Sequence, residues 1–411
     1  MTTPMAASQR RSLAVGGLDG LLYAGLFVLF ASSGFVLVEP APYDALLVAL
    51  MAGSIVAGLR VPRAVGPLFA LIALIVAGEA IGSTQASDLS YSTKYTFVTL
   101  YLAASAIFFA CLAATRPKWL MAVLVPGMTL AALVTSVAGI AGVLGLHPTA
   151  TELFTEFGRA KGLFKDANVM APFLILPIMF GTHRLMTRPL IGAWPWAGVV
   201  GILVLAVFLS FSRGAWAHLV VSTGAYMAIF ILMAPTATAR ARAILLGTIA
   251  LGVIVVGLGA ALGLGKIGSL FEERAAFTQA YDTGQSGRFA GQRKALAYAA
   301  DNPAGLGAGE FAFIIHGEDV HNVYLNAFVN GGWLGGFAYL GLIGATVLVG
   351  TRAVFRRSEV QPMLMPVFAA FLGLALEGLI VDTDHWRHFY LIIGLIWGLA
   401  AFESRAGPEK P

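Results

Sequence analysis

The chain is 411 residues long, 58% hydrophobic and only 11% charged, far more apolar than a water-soluble domain of this length. Two or three soluble domains would fit the length, but apolar runs recur from Leu21 almost to the C-terminus, which favours one membrane-embedded bundle. The formal net charge of +5 does not point to nucleic acid, because the basic residues are scattered singly and in pairs between apolar runs rather than gathered in a stripe.

Arg10 and Arg11 followed by the apolar stretch 21–38 would suit a signal peptide. Counting that stretch as an uncleaved first helix instead makes every later basic loop fall on one side of the membrane, so an uncleaved helix is expected. Spans are then expected at 21–38, 45–59, 64–82, 95–114, 119–146, 169–186, 193–211, 215–233, 243–264, 334–349, 363–381 and 389–402. The expected fold is therefore all-α: a single polytopic helix bundle over residues 1–411 with about twelve transmembrane helices. Alternate loops carry Arg10/Arg11, Arg60/Arg63, Arg116/Lys118, Arg184/Arg188, Arg240/Arg242, Arg352/Arg356/Arg357 and Arg405/Lys410. By the positive-inside rule these loops, and both termini, are cytoplasmic. The lone Cys111 lies in an apolar run, so it forms no intrachain disulfide and reads as a small packing residue.

Two loops on the opposite, outer side are long, 147–166 and 265–332, and they hold the polar chemistry. The longer one contains a helix-like stretch, 289–300, stopped by Asp301-Asn302-Pro303 and followed by Gly305, Gly307 and Gly309. It reads as a short amphipathic element lying on or over the bundle. Ionisable residues inside spans cost roughly 2.5–3.5 kcal/mol at the bilayer centre on insertion scales, so their places are informative. Glu79, His218 and Glu377 all fall toward the outer helix ends. Singly each is better read as structural, but together they suggest a wet cavity open to the outer leaflet.

Four clusters carry candidate chemistry. In Phe211-Ser212-Arg213-Gly214, Arg213 either snorkels to the interface or turns its donor fork toward a phosphate. Arg288, with Arg293 and Lys294 after it, either faces water and headgroups or covers the same anion. His321, in His321-Asn322-Val323-Tyr324, is a structural histidine or a base able to take a proton from a hydroxyl. Arg159, Lys161, Asp166 and Asn168 occupy the shorter loop, where Asp166 or Asn168 also suits a helix cap. Together these groups fit transfer from a lipid-linked phosphate or pyrophosphate, with arginines stabilising leaving-group charge and a histidine deprotonating the acceptor.

Other chemistries fit less well. The Gly305–Gly309 run lacks the lysine of a nucleotide-binding loop, and neither a His-Glu-x-x-His helix nor a paired-cysteine zinc site occurs. Asp382-Thr383-Asp384-His385 has cation-ligand types but reads as a solvated loop, so no metal and no cofactor is expected. A transporter of lipid-linked saccharides would also need a basic cavity, yet it predicts broken midplane helices and two related halves, which are not visible here. A scaffold protein would leave Arg213, Arg288 and His321 individually dispensable.

Ser212-Arg213-Gly214-Ala215, the stretch Gly162-Leu163-Phe164-Lys165-Asp166-Ala167-Asn168, Arg288, and Asn302-Pro303-x-Gly-x-Gly running on to His321-Asn322-x-Tyr324-Leu325 with Gly331 resemble the O-antigen ligase and polysaccharide polymerase superfamily. The similarity runs from about Arg159 to Leu340. The resemblance implies a metal-independent, inverting glycosyltransferase of the bacterial inner membrane that uses an undecaprenyl-diphosphate-linked glycan at its periplasmic face. It implies that Arg213 and Arg288 bind the diphosphate and that His321 is the catalytic base, with both long loops periplasmic and 265–332 part of the active site. Arg159, Asp166, Asn168, Arg293, Asn322 and Tyr324 carry over as possible substrate-binding residues. The acceptor separates a ligase, which uses lipid A-core, from a polymerase, which extends another lipid-linked glycan; the ligase reading is slightly favoured. Membrane lipids complete the expected partners.

Overall fold

The computed structural model describes residues 20–263, 268, 269, 271 and 284–406. Arg10, Arg11, Lys410 and the stretches 264–267 and 272–283 of the long outer loop lie outside the described residues. The chain is helical almost throughout. Helix α1 covers Gly20–Ser32, α2 Pro42–Val56, α3 Gly66–Ser83, α4 Leu89–Thr115, α5 Pro117–Val143, α6 Pro148–Phe154, α7 Ala167–Thr187, α8 Leu190–Leu209, α9 Arg213–Met233 and α10 Ala237–Leu262. After these come α11 at Arg288–Asp301, α12 at Val323–Val354, α13 at Gln361–Glu377 and α14 at Arg387–Ala406.

Among the described residues, seven helices are long and apolar enough to cross a membrane: α3 with the turn before it, α4, α5, α7, α8, α9 and α12. The shorter helices α1, α2 and α13 are also apolar. An all-α polytopic membrane protein results. Large apolar side chains such as Val56, Phe97, Ile191, Val220 and Val256 are exposed, as expected for surfaces solvated by acyl chains rather than water.

Close helix packing depends on small residues. Gly394 and Gly398 of α14 sit against the backbone carbonyls of Ala106 and Ala110 of α4, where any Cβ would collide. The four-residue spacing on both helices puts small residues on facing stripes, the arrangement that lets membrane helices approach without a hydrophobic driving force. Elsewhere α12 packs along α3, and α13 along α9.

Two segments differ from the reading of the sequence. The expected span at 334–349 is part of a much longer helix, α12, which begins at Val323 and is interrupted at Gly332 (φ 62°, ψ −163°). That break disrupts the helix's own hydrogen bonding, and the loop 303–306 fills the gap: Leu306 N–H donates to Val329 O (2.7 Å) and Trp333 N–H to Pro303 O (2.9 Å). A Cβ at position 332 would strike the backbone of Pro303 and Ala304. The shorter loop, 147–166, also has regular structure. It holds α6 and a two-stranded antiparallel hairpin, β1 (Thr155–Glu156) and β2 (Arg159–Ala160). Phe157 (φ 50°) and Gly158 (φ 78°) turn it with positive φ at both central positions, which matches strand twist in two-residue hairpins.

The amphipathic element expected at 289–300 is present as α11. It buries Ala290, Gly291, Ala295 and Ala299 against α12 and the π-helical turn Phe311–His316, and exposes Arg293, Lys294 and Leu296.

Candidate active site

Helix starts and loops meet at one end of the bundle around a cavity of about 560 Å³. Arg213, Arg288 and His321, three residues far apart in sequence, all line it, together with Arg159, Asp166, Asn168 and Asp382.

Each is held by local structure. Arg213 is the first residue of α9, following a sharp turn in which Phe211 takes a left-handed φ of 49° and Ser212 caps the helix through its Oγ. Arg288 likewise opens α11. Both residues thus open a helix whose start borders the cavity, where the dipole reinforces attraction for an anion. Arg159 is buried on β2; its Nε donates to Ser210 O (2.8 Å) and its Nη2 to Asn168 Oδ1 (2.6 Å). The turn before Arg213 is thereby clamped to the hairpin β1–β2 and the start of α7. Asp166 is the cap of α7, accepting from Asn168 N–H (2.7 Å).

His321 stands just ahead of α12 with a left-handed φ of 51°. Asp382, in the turn after α13, holds it there: one carboxyl oxygen accepts from His321 N–H (3.0 Å) and the other from Asn322 N–H (3.2 Å). His321 Nδ1 lies 3.6 Å from the same carboxyl group. From α11, Gln292 Nε2 donates to His321 O (3.1 Å) and to Leu379 O (3.3 Å), so the helix that begins with Arg288 is tied directly to the histidine.

The electrostatics favour a neutral imidazole. Burial and the nearby Arg288 guanidinium push the His321 pKa below its ordinary value, against the opposing pull of Asp319 and Glu318. Asp382 is pushed up to about 8, chiefly by burial and then by Asp384 and Asp319, with its two backbone N–H bonds opposing. The site therefore joins three guanidinium groups to an imidazole able to accept a proton.

The remaining candidates lie elsewhere. Arg293 is exposed on α11 and does not line the cavity. Asn322 is occupied as the cap of α12, its Oδ1 accepting from the N–H groups of Tyr324 and Leu325 (both 3.1 Å). Tyr324 Oη donates to Ala375 O, joining α12 to α13. Geometry gives these three supporting or surface places, not walls of the cavity.

The reading of 382–385 as a solvated loop needs correction. Asp382 lines the cavity, Asp384 accepts a hydrogen bond from Tyr95 Oη, and His385 Nε2 is 2.9 Å from Thr99 Oγ1. Among the described residues no group of three or more His, Cys, Asp or Glu side chains is placed to hold a metal ion. Asp382, read from the sequence only as a possible cation ligand, and Gln292, not singled out there, are the neighbours that bond to His321. For Asp382 the available signal was an acidic residue in a short loop between apolar runs; for Gln292, on an amphipathic helix, there was none. His218 and Glu377, read as outer-end residues, are buried and bonded to each other (Nδ1 to Oε2, 2.8 Å) beneath Gly214.

No curated protein matches the chain. A family model described as O-antigen ligase matches residues 198–340, a stretch that includes Arg213, Arg288 and His321 but not Arg159, Asp166, Asn168 or Asp382. Over that stretch, about a third of the chain, the protein is similar to the O-antigen ligase family, in agreement with the superfamily that its sequence motifs resemble.

Proposed function

We propose that the protein is a membrane glycosyltransferase that moves a glycan from an undecaprenyl-diphosphate-linked donor to a sugar hydroxyl of lipid A-core, at the periplasmic face of the bacterial inner membrane. The observation that carries this reading is the meeting of Arg213, Arg288 and His321 around one cavity. In the proposed reaction, neutral His321 takes the proton of the acceptor hydroxyl as its oxygen attacks the anomeric carbon. The bond from that carbon to the diphosphate oxygen breaks on the opposite face, so the configuration inverts. Arg213 and Arg288 hold the departing diphosphate, whose developing charge their guanidinium groups neutralise through charge-assisted hydrogen bonds. Arg159 adds positive charge to the same wall, and Asp382 positions His321 through its backbone.

The test is direct. Purified protein is incubated with a lipid-diphosphate-linked oligosaccharide and lipid A-core, without nucleotide or added metal, and the products are analysed. Glycan on lipid A-core is the expected result. A ladder of longer lipid-linked chains would assign a polymerase instead, and translocation in vesicles without any transfer would overturn the enzyme reading in favour of a transporter.

A further inference from the structure

A second cavity, of about 220 Å³, adjoins the first and shares with it Asp166, Val169 and Trp386. It lies between the α1–α2 connection, the start of α7 and the start of α14. Its polar lining is balanced: Glu39 and Asp166 face Lys165 and Arg387. Such a lining favours neither an anion nor a cation. Glu39 accepts from Lys165 Nζ (2.9 Å) and lies 3.9 Å from Arg387 Nη1, but Glu39 and Lys165 are about half exposed (50% and 51%), and an ion pair so solvated is held weakly enough to open for a ligand. Arg387 is anchored by two bonds to Asp44 (2.7 and 2.6 Å), which fixes the guanidinium in the cavity wall. Two further features point to a ligand. The Nε2 of His388 is buried without a hydrogen-bond partner in a residue only 6% exposed, and a buried polar atom left in this way calls for a partner. Trp386, 8% exposed and set against the His388 ring, lines both cavities and offers an aromatic contact to an apolar face.

We propose that this second cavity is a subsite for one neutral sugar ring, whose hydroxyls both donate and accept hydrogen bonds and whose C–H face packs on Trp386. The inference rests on the glycosyltransferase reading, because its shared wall places the bound ring next to the reacting groups. The ring belongs either to the acceptor or to the donor glycan.

Two measurements test it. Transfer kinetics are compared for wild type, Glu39→Gln, Lys165→Met and His388→Phe, varying donor and acceptor separately. The expected result is a rise of about tenfold in one KM with a smaller effect on kcat; a rise for acceptor assigns the ring to the acceptor, a rise for donor to the donor. Glu39 and Lys165 are exposed enough to be replaced without loss of folding, so the test does not depend on the buried histidine. Independently, tryptophan fluorescence of the full-length protein in nanodiscs is titrated with free glucose, galactose, N-acetylglucosamine and heptose. A saturable change, absent from Trp386→Phe and weakened in Lys165→Met, is expected even if no transfer is found, in which case the subsite stands and the reaction assignment falls. Unchanged KM values in the three variants, or no saturable response to any sugar in a wild type that transfers glycan, would overturn the subsite alone. No response from a protein that also fails to transfer would overturn both.

Discussion

The carboxyl group of Asp382 holds His321 by its backbone rather than by its ring: Oδ2 accepts from His321 N–H at 3.0 Å, while Nδ1 of the imidazole is 3.6 Å away, beyond a good hydrogen bond. Two sequence-distant segments, 321–322 and 382, are joined by this clasp. Position, more than charge, is what Asp382 supplies to the proposed base. Asp382→Asn, which keeps the shape but loses one acceptor oxygen, is expected to lower the transfer rate by about 10- to 100-fold with little change in donor affinity. His321→Ala is expected to abolish transfer while the protein still binds donor. Single-turnover rates and lipid-diphosphate binding measured on the same preparations separate the two effects.

The pH profile follows from the state of His321. As a base it works in its neutral form, and burial with the Arg288 charge holds its pKa below the ordinary histidine value of 6.5. Transfer is therefore expected to rise with pH along a limb centred below 6.5 and to be level through neutrality. In Arg288→Gln the positive neighbour is gone, so the imidazole titration, followed by NMR without substrate, is expected to move upward. An unchanged titration would remove Arg288 from the electrostatics of the base.

Asn322 tests whether the cap of α12 positions His321. Its side chain satisfies two free N–H groups at the helix start. Asn322→Ala is expected to cost about 0.5–2 kcal/mol of stability, with Asn322→Asp largely restoring it. If the cap also aligns the preceding residue, the transfer rate follows the same order, readable from denaturation and initial rates of the three proteins.

The two helix-opening arginines should differ from lysines in kind. A lysine retains charge but lacks the planar donor fork that grips two phosphate oxygens. Arg213→Lys and Arg288→Lys are expected to keep detectable donor binding with transfer reduced by about 10²-fold or more, consistent with loss of an oxyanion donor. Glutamine at either position is expected to weaken donor binding itself. Isothermal titration with a short-chain lipid diphosphate, beside transfer rates, checks both. Equal behaviour of lysine and glutamine would show that charge plays no part.

The bundle was legible in the residues because hydrophobic runs of helix length are a one-dimensional signal: each expected span from 21–38 to 389–402 overlaps a helix in the fold. Arg213, Arg288 and His321 were marked by polar chemistry in an apolar setting, and α11 by its stop at Asp301-Asn302-Pro303. The course of α12 was not legible, since the glycines at 331 and 332 read as a loop and the hydrogen bonds that tolerate a break there come from residues 303–306. Nor was the clasp of Asp382 on His321, or the link from Gln292, because a hydrogen bond between residues remote in sequence leaves no spacing to read. Local hydropathy and charge thus determined the helices and nominated the reactive groups. Only tertiary packing, which brings the starts of α9, α11 and α12 to one end of the bundle, decided that those groups share a cavity and that a second cavity opens beside it.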